Sequence, residues 1–443
     1  MTTPNPRNDR PIIPASPQIP MYSSIAYLRS PQGIRDRCGQ LFALATANQL
    51  QHFQIDLTQL DRTADYVIAV MRSAYPTLQI PFHSRWRHFE AGGVSRSALL
   101  DQHLTGLNPL EKAQAKFDLV IPSVLLDAGA GASWQYLEAS TGQTFQRSEG
   151  LGVASFHLFL QGAFSSVPGA LQADATGLQN LTEAKLIEGF QVSDRNPLVG
   201  VAGRLRLMQR LGAVLPQSPH LFSGKQLSGN QPSEPPRLGY LVNYLVGRAL
   251  RDTPKGSPSN QLEAQQVFEA VLEGFSNIWE GRITLANTNL GDVWFHSALP
   301  DRGIGSQLVP FHKLSQWLTY SLLEPLQELG LEITHLDKLT GLSEYRNGGL
   351  CVDLGLLQPK HSGVLQEAHL PNSEVIVEWR ALTVILLDRI AATIRQKLGM
   401  DDQSLPLVKV LEGGTWAAGR KIAAELRPGG VPPIQIVSDG TVF

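Results

Sequence analysis

Cysteine is nearly absent: Cys38 and Cys351 are the two in 443 residues. That excludes a disulfide framework and a zinc site built on cysteines. Long apolar runs are missing too. No uninterrupted stretch approaches the roughly 18 residues that a membrane-spanning helix needs, so no membrane contact is expected. Neither sign of charge dominates, with 37 Lys and Arg against 39 Asp and Glu and a formal net charge of −2. This argues against a broad cationic surface for nucleic acid. The glycines form no GxGxxG fingerprint and no Walker loop, and no HExxH or nucleophile elbow occurs. Among the 11 histidines, His83 and His88 are five apart and His296 and His312 sixteen apart, neither a ligand pattern. No metal and no cofactor are expected.

What is there suits a soluble globular protein: 42% hydrophobic and 17% charged residues. Arginine (26) outnumbers lysine (11), a bias that suits bidentate contacts to carboxylate or phosphate, although GC-rich coding produces it as well. Residues 1–20, rich in proline and polar side chains, read as a flexible lead into a cytoplasmic protein.

The fold class expected is mainly α: a two-lobed helical fold with a few short strands, residues 21–252 forming one lobe and 253–443 the other, closely integrated. The Pro/Gly/Ser-rich stretches 223–236 and 252–260 mark the boundary. A first helix in 21–75 breaks at Pro31-Gln32-Gly33 and resumes through Leu50, and another ends at Pro76. IPFHSRWRHFEAGG reads as a loop. FDLVIPSVLL (117–126) reads as an extended apolar segment with Pro122 at an edge or bend, followed by the small-residue turn DAGAGASW. Ser148 is a plausible cap for the next helix, Pro310 lies near the first turn of another, and Pro325 starts or kinks its successor. The longest helix runs from a Ser373 cap to Gly399.

Leu339 to Leu357 and the segment 374–387 set Glu344, Arg346, Asp353, Glu378 and Arg380 among residues of core character. Burying such charges costs on the order of several kcal/mol unless each is paired or meets a ligand, so they form either an internal ion-pair network or a site. A carboxylate pair is what cleavage at an anomeric carbon requires. In SRWRHF, Arg85, Arg87 and His88 could converge on a phosphate or merely flank a buried Trp86. Lys313, early in its helix, is a second anion-binding candidate, with an exposed first-turn lysine as the alternative.

Together IPFHSRWRHFEAGG, SVLLDAGAGASWQYLEASTGQTFQRSEGLGVASFHLFL, NPLVGVAGRLRLMQRLG, FHKLSQWLTYSLLEPL, LTGLSEYRNGGLCVDLGLL and VLEGGTWAAGRKIAAELRPGG resemble the uracil-catabolism protein four family, from about Ser30 to the C-terminus. The resemblance implies a place in a pathway that degrades uracil through ribosylurea-type intermediates. It also implies possible association with other uracil-catabolism enzymes. FHKLSQ, SEYR and VEWRALTV are further similar, in order and spacing, to motifs of the mainly helical queuosine-salvage nucleotide N-glycosylases, which are related in fold to DNA glycosylases. That similarity implies a DNA-glycosylase-like helical core and a pocket lined by Lys313, Glu344, Tyr345, Arg346, Glu378 and Arg380, with Asp127 and Trp134 brought in by the small-residue turn. Glu344 stands where that family has Asp, and NGG replaces its VPQ.

The expectation that results is a metal-independent hydrolase of the N-glycosidic bond in a ribosylurea or related ribonucleotide 5-phosphate. Glu344, Asp353 and Glu378 are the catalytic candidates, with Glu378 as proton donor to the leaving group. Arg85, Arg87, His88, Asp127, Trp134, His312, Lys313, Tyr345, Arg346 and Arg380 are the substrate-binding candidates. The partner implied is a small (phospho)ribosyl compound, not nucleic acid or a membrane. The alternatives are an amidohydrolase or deaminase acting on a ring-opened pyrimidine nucleotide, and a non-catalytic pathway scaffold.

Overall fold

Asn108 begins a deeply buried helix by closing a reciprocal cap: its side chain accepts from Glu111 N, while the Glu111 carboxylate accepts from Asn108 N. The helix, Pro109–Leu125, belongs to a computed structural model that describes residues 21–131, 133–224, 234–252 and 260–437. The expected lead 1–20 and most of the two boundary stretches lie outside the described residues. The architecture is mainly α, with short strands paired two by two.

Several local expectations change. Residues 117–125 are helical, with Pro122 inside the helix. Every residue from Ala113 to Leu125 is buried, so no polar stripe betrays the helical period, and a buried helix reads like a buried strand. The break between the first two helices falls at Arg29-Ser30. Pro31 opens the second, Pro31–Thr46, under a Ser30 cap that accepts from Gly33 N at 3.0 Å. Residues 85–89 of the expected loop form a short helix. Pro310 ends a strand, Leu308–Pro310, and the next helix, Lys313–Glu328, runs unbroken through Pro325. Ser148 lies in the first turn of Arg147–Leu160, whose cap position is Gln146. Gly399, left-handed at φ 65°, ends the longest helix, Glu374–Leu398.

That longest helix is buried along most of its length and packs on Pro31–Thr46, Leu60–Ala74 and Tyr345–Asp353. Lys313–Glu328 packs on Pro109–Leu125, so the two sequence halves share one core, whose buried apolar side chains run from Ile34 to Ile434. Phe53–Ile55 pairs antiparallel with Leu357–Pro359, and Ala368–His369 pairs parallel with Gln435–Ile436. No helix among the described residues is long and apolar enough to cross a membrane.

Three of the charges singled out above serve this scaffold. Glu378 accepts backbone N–H groups from Gln51, His52 and Phe53 at 3.1–3.2 Å, which pins the entry to the Phe53 strand onto the long helix. Arg380 forks onto Asp292 at 2.8 and 2.7 Å. Burial alone would raise the Asp292 carboxyl, but the Arg380 guanidinium holds it well below the ordinary carboxylate range. Asp353 receives a bidentate Arg427 at 2.8 and 2.5 Å.

Two outcomes test this account. Glu378→Ala strips a charged acceptor from three amides and lowers stability by about 3 kcal/mol in urea denaturation. An unchanged midpoint would refute the pinning role. Asp292 ionises at lower pH folded than unfolded, so the pair's contribution is full above the unfolded carboxylate value of about 4 and fades as pH falls below it. Asp292→Asn should therefore flatten the acid side of a melting-temperature profile relative to the parent protein.

Candidate active site

Three helices begin at one cavity of about 290 Å³: Arg147–Leu160, Lys313–Glu328 and Tyr345–Asp353. Their amide ends give the walls a positive bias. Glu344 occupies the cap of the third, its Oε2 accepting from Arg346 N at 2.7 Å and its Oε1 from Asn347 N at 2.6 Å. One carboxylate thus both starts the helix and faces the cavity. Burial pushes it above the usual carboxylate range, against those two amides and the Lys313 charge.

Lys313 is fixed through its main chain, its N–H donating to Asp292 Oδ2 at 3.0 Å. Among the described residues, no hydrogen bond or ion pair engages its Nζ. Burial pulls the ammonium down from its usual value, while the Glu344 and Asp127 carboxylates act the other way. Trp317, one turn further on, adds an indole wall.

Asp127 arrives on the turn that follows Pro109–Leu125. Its Oδ1 is buried without a hydrogen-bond partner and lies 3.3 Å from Arg85 Nη1. Arg85 stands behind Asp127, fully buried, donating to Ser123 Oγ at 2.7 Å and to the Ser148 carbonyl at 3.2 Å. His88 is on the wall, and burial followed by the Arg85 charge pushes it down to about 4, so it is neutral at pH 7. Tyr345 lines the cavity with Arg346 4.9 Å over its ring, and Arg346 donates to the Gly430 carbonyl at 2.7 Å. No cluster of three or more His, Cys, Asp or Glu among the described residues is arranged to hold a metal ion.

Residues 27–443 match a family described as protein of unknown function (DUF1688). Over 95% of its length the chain is 37% identical to "Uracil catabolism protein 4" of Lachancea kluyveri, covering 99% of that protein. It is 39% identical to "Protein urg3" of Schizosaccharomyces pombe, with the same two coverages. The chain belongs to the uracil-catabolism protein four family.

In this family member the structure brings together Glu344, Asp127, Lys313, Tyr345, Arg346 and His88. It does not bring Asp353, Glu378 or Arg380 to them, because each is satisfied by protein partners elsewhere. Arg87 turns to Glu324 at 2.6 Å, beside a neighbouring cavity. Trp134 is core, its Nε1 donating to the Phe190 carbonyl at 2.9 Å. His312 is left-handed at φ 48°, bonded to the Leu28 carbonyl at 2.8 Å and outside this cavity.

The wall residues that escaped the sequence reading as site residues include His83, Arg147, Trp317 and Trp416. Arg147 holds a left-handed φ of 53° and donates to the Gly429 carbonyl at 2.7 Å. Nothing in sequence marks that conformation in an arginine. Trp416, inside the TWAAGR motif, was findable as an aromatic in a segment that carried the family resemblance.

The wall also needs a close approach of helices. A Cβ on Gly419, in helix Trp416–Leu426, would stand 2.1 Å from the Arg346 carbonyl. Gly419→Ala should force the two helices apart and cost about 1–3 kcal/mol, read as a fall in melting temperature. A variant as stable as the parent would show that the seam has slack.

Proposed function

We propose that this protein acts in uracil catabolism by hydrolysing the N-glycosidic bond of a ribosylurea 5-phosphate or a related pyrimidine-derived ribonucleotide. The observation that carries this reading is a cavity onto which two carboxylates, Glu344 and Asp127, and a Lys313 otherwise unpartnered among the described residues all open. The printed name of the Lachancea kluyveri relative supports the pathway.

Cleavage moves the C1–N bonding pair onto the leaving nitrogen and leaves oxocarbenium character at C1. A carboxylate near C1 stabilises that charge, and Trp317 and Trp416 give the site an apolar wall beside it. Glu344, held by two amides, suits this fixed electrostatic role. Asp127 lines the cavity, with its Oδ1 paired to Arg85, and takes the proton of the attacking water. It replaces Asp353 in that role, since Asp353 is tied to Arg427. The anionic end of the substrate fits Lys313, Arg147, Arg346 and the three helix starts, rather than Arg85 and Arg87.

The test is incubation of purified protein with ribosylurea 5-phosphate and assay of urea and ribose 5-phosphate. Glu344→Gln and Asp127→Asn should each lower kcat by about 10²–10⁴-fold while the proteins still fold. Absence of turnover on ribosylurea phosphate, UMP and uridine alike would reject the proposal.

A further inference from the structure

The hydrolytic reading leaves one chemical requirement unassigned: urea is a poor leaving group and needs a proton as it departs. Glu378 cannot supply it from its place under the Gln51–Phe53 amides. His83 lines the cavity and is 5% exposed. Its Nδ1 lies 2.7 Å from Glu412 Oε2, which leaves Nε2, at the other edge of the ring, for the cavity. Its backbone N–H donates to the Val408 carbonyl at 3.1 Å, and its ring sits between Trp317 and Trp416 at centroid distances of 6.4 and 5.8 Å. Glu412 does not line this cavity. It opens onto the neighbouring one, of about 520 Å³, which shares the His88 and Trp416 walls. The order in space is therefore solvent-side carboxylate, imidazole, substrate cavity. A carboxylate on one imidazole nitrogen fixes the tautomer and supports the imidazolium, freeing the other nitrogen for proton transfer.

The geometry points to His83 as the general acid of this site, oriented by Glu412, which acts as a positioning residue. The inference rests on the hydrolytic reading above and assigns the step that reading lacks. As C1–N breaks, the bonding pair goes to the urea nitrogen, and the proton on His83 Nε2 transfers to that nitrogen. Water then bonds to C1 and gives its proton to Asp127. His83 is recharged by the proton Asp127 releases to solvent, so the balance is one water consumed for one urea and one ribose phosphate formed.

Two measurements on the full chain decide it. The first compares ribosylurea 5-phosphate with a nitrophenyl riboside 5-phosphate, whose leaving group needs no proton. His83→Ala should slow urea release by about 10²–10⁴-fold and nitrophenolate release by less than about tenfold. Glu412→Gln should show the same selectivity at smaller amplitude. Equal losses on both substrates would overturn the assignment in favour of a structural role, and His83→Gln provides the same comparison if the alanine variant fails to fold. The second is ¹⁵N-histidine NMR with ribose 5-phosphate as the probe. Nδ1 should stay protonated throughout, with Nε2 the nitrogen whose signal shifts on addition of the probe. A proton fixed on Nε2, with Nδ1 as the acceptor, would overturn the inference. A wild type inert on both riboside phosphates would instead sink the hydrolytic reading, and the NMR result then decides alone whether His83 presents Nε2 to the cavity.

Discussion

The short helix Tyr345–Asp353 is held where two missing side chains let its neighbours touch it. A Cβ on Gly348 would stand 2.7 Å from the Trp379 indole of the long helix, and one on Gly419 would strike the Arg346 carbonyl. Close-packed interiors tolerate no added atom at such contacts. The glycines therefore set the position of Glu344, Tyr345 and Arg346 relative to both the core helix and Trp416. Arg346 extends the constraint by its bond to the Gly430 carbonyl, fastening the loop that closes the cavity. Displacement of this one helix would disturb the cap carboxylate, the aromatic wall and the closing loop together.

Buried charge in this protein divides by where its counter-groups lie. Asp353, Glu378, Arg380 and Arg87 find guanidinium, amide or carboxylate partners within the chain. Such pairs specify packing and need no ligand. Lys313 Nζ is not so completed, and Asp127 Oδ1 has the Arg85 guanidinium at 3.3 Å without a hydrogen bond. An incompletely satisfied polar group is expensive in an interior, and its retention is intelligible where a ligand completes it. Lys313 sits in the same last third of the sequence as Asp353, Glu378 and Arg380, and nothing in residue type separates the two kinds of charge there.

This explains what could be read without coordinates. Helix period and glycine stops are local properties, so the mainly α class, the long helix and its end at Gly399 were legible. Glu344 and Arg346 were singled out as charges in apolar surroundings, Lys313 by its place early in a helix, His88 by its basic-aromatic cluster and Asp127 by the family resemblance, and these segments meet at the cavity. Pairing is not local. Arg427 lies 74 residues from Asp353, and the amides that satisfy Glu378 lie more than 300 residues away. No spacing rule connects them. Nor does one connect His83 with Glu412, 329 residues apart. The helix through Pro122 was hidden for another reason, since a segment buried on all sides has no periodic contrast to display.

The turn Leu411–Thr415, immediately before Trp416, is a π-helix, wider than the α turns on either side. Its two glycines lie close against Ile80, Val67 and Met71, which gives the wide turn room on the core side. A π turn is an α-helix carrying one inserted residue, and such insertions recur at functional sites. Excising a single residue here would rotate everything downstream by about 100° relative to what precedes it. Trp416 and Arg420 would swing away from the wall between the two cavities while the upstream contacts stayed in place. One additional residue thus lets a continuous rod address the interior with one phase and the cavity wall with another.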